Sequence, residues 1–109
     1  MSTAANLDFS AIRERFKGRL ELRLIIICEH FVSLESEPRY RFVDALMREF
    51  HSLAGTAGTL GFKEISTAAA AGESICLRMM RRGCYDRRLD VVMLQRCITE
   101  VEGYISTIE

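Results

Sequence analysis

Apolar residues recur along this chain at steps of three and four. Between positions 40 and 60 they fall at Val43, Leu46, Phe50, Leu53, Ala57 and Leu60, and towards the C-terminus at Val91, Leu94, Ile98, Val101, Ile105 and Ile108. A third stripe uses smaller residues: Ile65, Ala68, Ala69, Gly72, Cys76 and Met79. The longest runs through Phe9, Ile12, Phe16, Leu20, Leu24, Ile27, Phe31 and Leu34. Such steps gather side chains on one face of an α-helix, and no stretch sustains the alternation of a strand. Breaks fall at ESEP (Glu35 to Pro38), around Gly61 and at GCYD (Gly83 to Asp86). Asp8 is a candidate cap for the first helix, Ser36 with Pro38 a candidate opening for the second, and Asp86 a candidate cap for the fourth. Gly61 and Gly83 stand where helix-ending glycines are expected. Gly18 is placed to split the first helix into a short leading piece and a longer one. Short joints make consecutive helices run antiparallel. The predicted fold is therefore all-α, an up-down antiparallel four-helix bundle, with residues 1–109 as a single domain.

Composition narrows the possible partners. The 15 basic and 15 acidic residues cancel, so no positive surplus speaks for nucleic acid. The longest apolar run, Leu24 to Cys28, falls far short of the roughly 20 residues that span a bilayer. The N-terminal MSTAANLDFS lacks the basic and apolar regions of a secretory signal. A cytoplasmic location without membrane attachment is expected. Cys28, Cys76, Cys84 and Cys97 show no CxxC spacing and no paired histidines, which argues against zinc. They read as small reduced hydrophobes, with Cys84, in an expected loop, the most reactive.

One stretch departs from good helix composition. HSLAGTAGTLGF, residues 51–62, follows a histidine with Gly55, Gly58 and Gly61, and glycine inside a helix costs about 1 kcal/mol relative to alanine. At about 100° per residue, His51 projects roughly 130° away from the stripe centred between Phe50 and Leu53. Met47, Asp44, Gly55 and Gly58 fall within about 40° of the His51 direction, and Arg48 about 60° to one side. Three explanations compete. The glycines could admit a neighbouring helix, although their sharing a face with His51 weakens this. A metal or haem site is poorly supported by one exposed histidine without CxxCH or a ligand one turn away. In the third, another protein's active-site loop must come close to an exposed, unpaired imidazole, a side chain largely neutral at pH 7 and so available as a nucleophile.

The run His51-Ser-Leu53-Ala-Gly55-Thr-Ala-Gly58-Thr-Leu60-Gly61-Phe62 resembles the signature of histidine-containing phosphotransfer (HPt) domains of two-component phosphorelays. The resemblance implies a four-helix bundle with the phosphoaccepting histidine exposed midway along its second helix. His51 would be that acceptor, with Met47, Arg48, Ala54, Gly55 and Gly58 around it as docking and access positions. The implied partners are receiver domains of response regulators or hybrid histidine kinases. A phosphoaspartate would give its phosphoryl group to His51, which would pass it to another receiver. Magnesium would be carried by the receiver, and no cofactor by this chain, which is expected to be a monomer. The family often has lysine three residues after the histidine, where this chain has Ala54. A lysine there would be worth about 1 kcal/mol to an exposed phosphoryl group, and Arg48 is the nearest substitute cation.

No Gly-rich nucleotide loop follows a strand and there is no room for an ATP-binding domain, so the chain reads as a phosphocarrier and not an enzyme. The alternative is a helical module that binds receivers or other signalling proteins without accepting phosphate. A phosphotransfer domain cut from a chemotaxis-type kinase is a third reading, although Met1 and a fourth helix closing near Ile108 fit a free-standing protein better. His30, about 70° from the first stripe, reads as a boundary residue. Met79-Met80-Arg81-Arg82 reads as a helix end passing from core to surface, its cations well placed at the C-terminus.

Overall fold

The computed structural model describes residues 3–83, 86 and 88–108, with side chains from Ala11 onwards. It consists of α1 (Thr3–Ser36), α2 (Tyr40–Thr59), α3 (Lys63–Arg82) and α4 (Leu89–Ser106). The helices pack in a closed ring, α1 on α2, α2 on α3, α3 on α4 and α4 on α1. This is the all-α four-helix bundle that the stripes require.

The stripes supply the core. Leu20, Ile27, Leu34, Leu46, Phe50, Leu53, Cys76, Leu94 and Val101 are fully enclosed. Ile75 and Cys97 join them from positions outside the predicted stripes, while Leu60, Val91 and Ile108 stay half-buried at the margins. The α2–α3 seam is especially close. A Cβ built on Gly72 would lie 2.7 Å from the Phe50 ring, so only glycine lets that ring lie flat against α3. His30 is half-buried, as a boundary residue should be, and from Met79 to Arg82 the side chains pass from buried to exposed.

Helix ends depart from expectation at three places and follow it at three. α1 starts at Thr3, so Asp8 lies within the helix and not at its start. Nor does Gly18 divide α1, which runs unbroken for 34 residues. A single glycine costs about 1 kcal/mol, too little to stop a helix held on both sides by good formers. Ser36 ends α1 instead of opening α2. Pro38 disfavours the helical conformation of the residue before it, and α2 resumes at Tyr40 behind an extended Arg39, φ −105° and ψ 146°. By contrast Gly61 takes φ +85° and closes α2 with two bonds, Phe62 N–H to the Ala57 carbonyl at 2.8 Å and Gly61 N–H to that of Gly58 at 3.2 Å. This is the paired pattern of a Schellman turn. Gly83 ends α3 at φ 70°, its N–H bonded to the Met79 carbonyl.

Asp86 starts α4. Its Oδ1 accepts from the N–H of Arg88 at 2.9 Å and of Leu89 at 3.1 Å. The Leu89 and Arg88 amides hold its carboxyl below the usual aspartate range. Beneath it, buried Asp90 accepts from Arg82 at 2.5 Å and from the Asp86 N–H at 2.7 Å, tying the end of α3 to the start of α4. No helix among the described residues is long and apolar enough to cross a membrane.

Candidate functional site

The outer face of α2 carries the candidate residues. Phe50 and Leu53 point inward with no exposure, which turns His51 out, its side chain 73% exposed. It is not unpaired, however. His51 Nδ1 lies 2.7 Å from Glu73 Oε2 on α3, a partner the sequence reading missed. In a neutral imidazole this contact makes Nδ1 the donor to the Glu73 carboxylate and leaves the lone pair on Nε2. Glu73 is itself only 22% exposed, so the packing of α3 fixes where its carboxylate sits. A signal for it was present: Glu73 lies about as far after the Gly61 turn as His51 lies before it, which puts the two at one level in an antiparallel pair.

The other named positions divide. Gly55 is exposed, and a Cβ added there would meet nothing within 4 Å. Gly58 differs, because its Cβ would come 3.1 Å from Ser66 Oγ, and that hydroxyl donates to the Ala54 carbonyl at 2.8 Å. Gly58 thus serves close approach of α2 and α3, so the neighbouring-helix explanation holds there and fails at Gly55. Ala54 and Met47 are half-buried against the core. Arg48 is exposed but paired with Asp44 one turn earlier at 3.0 Å, so its charge is already engaged.

A groove beside the imidazole was also unforeseen. Phe16 of α1 lines it together with His51, Ser52, Gly55, Thr56 and Thr59. Phe16 and Ile12 belong to the α1 stripe, yet Phe16 is half-buried and Ile12 is 42% exposed. Helix α1 is longer than the 20-residue α2 and α3, so its early turns outrun the helices that could cover them.

Among the described residues no group of three or more His, Cys, Asp and Glu is placed to hold a metal. Cys76 and Cys97 are buried and Cys28 half-buried. Burial pushes the Cys76 thiol up to about 12 and also raises Cys97 and Cys28, the latter helped by Glu102. Cys84, expected to be the most reactive, lies outside the described residues.

No curated protein and no solved structure matches this chain. The Hpt domain family does, over residues 27–109, a span that begins within α1 and takes in the whole of α2, α3 and α4. Hpt domains transfer phosphoryl groups on histidine in two-component phosphorelays, acting with receiver domains as phosphocarriers and not as kinases. With most of its length inside that match and a four-helix bundle presenting an exposed histidine, the chain belongs to the Hpt domain family.

Proposed function

We propose that this protein accepts a phosphoryl group on His51 Nε2 from the phosphoaspartate of a receiver domain and hands it to a second receiver. The observation that carries this reading is the Glu73 contact on Nδ1 of an imidazole that is otherwise largely open to solvent. The contact selects the tautomer whose Nε2 is nucleophilic and fixes the ring plane. The Nε2 lone pair attacks phosphorus as the bond to the aspartyl oxygen breaks, and the carboxylate leaves with that electron pair. Glu73 stabilises the positive charge that then develops on the ring. Return transfer runs the same steps backwards with the second receiver's aspartate as nucleophile. Positioning and charge neutralisation dominate such transfers. The bound magnesium belongs to the receiver, and Gly55 gives its active-site loop room to approach.

The test is transfer of labelled phosphate from a phosphorylated receiver. Label is expected to be acid-labile and alkali-stable, as a phosphoramidate is, and to disappear in His51→Gln. Glu73→Gln should slow transfer by on the order of tenfold to a hundredfold, the effect of losing a hydrogen bond of about 1.5–3 kcal/mol to the charge that develops on the ring. Undiminished label in His51→Gln would overturn the assignment and leave the alternative of a module that binds receivers without accepting phosphate.

A further inference from the structure

The seam between α1 and α4 carries a second surface. Two shallow cavities there share Leu24, Ile25 and Glu102 and so form one groove, running from Lys17 and Ser106 at one end to Val32 and Ser33 at the other. At 1.5 Å per residue that is about 24 Å along α1, the length of a helix of four to five turns. The apolar residues of helix α1 extend beyond its core stripe, to positions about 120–140° round from it. Leu20, Leu24, Ile27, Phe31 and Leu34 are spent on the core, while Ile25 and Val32 stand 54% and 59% exposed along the groove. Exposed apolar strips of this kind mark interaction sites.

The charges beside the strip are of one sign over most of its length. Glu21, Glu29 and Glu102 are exposed and make no hydrogen bond or ion pair among the described residues, and Lys17 sits at one end. Like carboxylates beside an apolar trough favour a ligand whose flanks are cationic. A trough of helix length between two helices suits a third helix laid along it with its apolar ridge inward. Because the helices form a ring, the α1–α4 seam lies across the bundle from the α2–α3 seam where His51 meets Glu73.

We propose that this groove seats an amphipathic helix of a partner protein, apolar along one ridge and bearing lysine or arginine on its flanks. The site does not depend on the assignment of His51, and an occupant leaves the α2 face open to a receiver.

The probe is a fluorescent synthetic peptide of about 18 residues, with leucine at the i, i+3, i+4 and i+7 positions of a helix and lysine on the flanks. The comparator has glutamate at each lysine. On the unmodified protein the lysine peptide should bind at least tenfold more tightly by anisotropy and become helical. Amide shifts should be confined to residues 17–33 and 102–106. Ile25→Asp should abolish binding, and Glu29→Lys with Glu102→Lys should weaken the lysine peptide at least tenfold while strengthening the glutamate one. Equal binding of the two peptides, shifts on the α2 face, or indifference to all three substitutions would overturn the proposal. So would sedimentation showing that the unmodified protein pairs with a second copy through Ile25.

Discussion

Gly55 and Gly72 lie on neighbouring helices and lack a side chain for opposite reasons. A methyl group on Gly72 would strike the Phe50 ring at 2.7 Å, whereas one on Gly55 would meet nothing within 4 Å. At Gly72 the absence is filled by the protein's own core. At Gly55 nothing in the protein fills it, so the helix bears a weakness of about 1 kcal/mol with no internal compensation. Gly58 stands between the two, its neighbour a hydroxyl at 3.1 Å. Glycine on a helix is therefore informative only together with what surrounds it: Gly18 and Gly103 also face open space, and Gly55 differs from them in lying one turn beyond His51 on the same face.

Substitutions can break that contrast. The largest loss of stability is expected from Phe50→Ala, about 3–5 kcal/mol from lost burial and a cavity. Gly72→Ala follows at about 1–3 kcal/mol, an overpacking cost that exceeds the gain in helix propensity. If the ring and the missing methyl group are truly opposed, the double variant should lose less than the two singles added together, since the new methyl enters the cavity. Additive losses in denaturant titrations would disconnect them.

Gly55→Ala should go the other way and stabilise the protein by up to about 1 kcal/mol. Gly55→Gln should also melt no lower than the natural protein, yet slow transfer from a phosphoreceiver, because displacing the reacting groups by even about 1 Å can cost on the order of a hundredfold. A destabilised Gly55→Gln would place a neighbouring helix where the structure has solvent. The smallest change is expected for His51→Ala, under about 1 kcal/mol, since its bond to Glu73 is a largely exposed contact. A loss matching that of Phe50→Ala would mean that the two faces of α2 had been exchanged.

What could be read in the sequence follows from how local each cause is. The limits of α2, α3 and α4 were legible within a few residues, because apolar periodicity, Gly61, Gly83 and the Asp86 cap act on their own neighbourhoods. The outward direction of His51 was legible for the same reason. The continuity of α1 was not, since Gly18 faces open space and strong formers carry the helix through it. Ser36 misled because Pro38 acts backwards on the chain, ending one helix before the next begins. Glu73 and Phe16 were missed as members of the site because each reaches it from another helix, and a pattern read along one helix does not show what faces it across a seam. The same limit hid the difference between Gly55 and Gly58, which depends on Ser66.

The length of α1 also governs how this protein behaves in a flow or a scattering beam. Its extents are 57 × 21 × 19 Å and its radius of gyration is 15.5 Å, against about 13 Å for a compact chain of roughly 100 residues. A rod-like particle diffuses more slowly than a sphere of equal mass, so on a gel-filtration column calibrated with globular standards a single copy should elute somewhat ahead of its true mass. Light scattering or sedimentation equilibrium, which report mass independently of shape, will separate elongation from association.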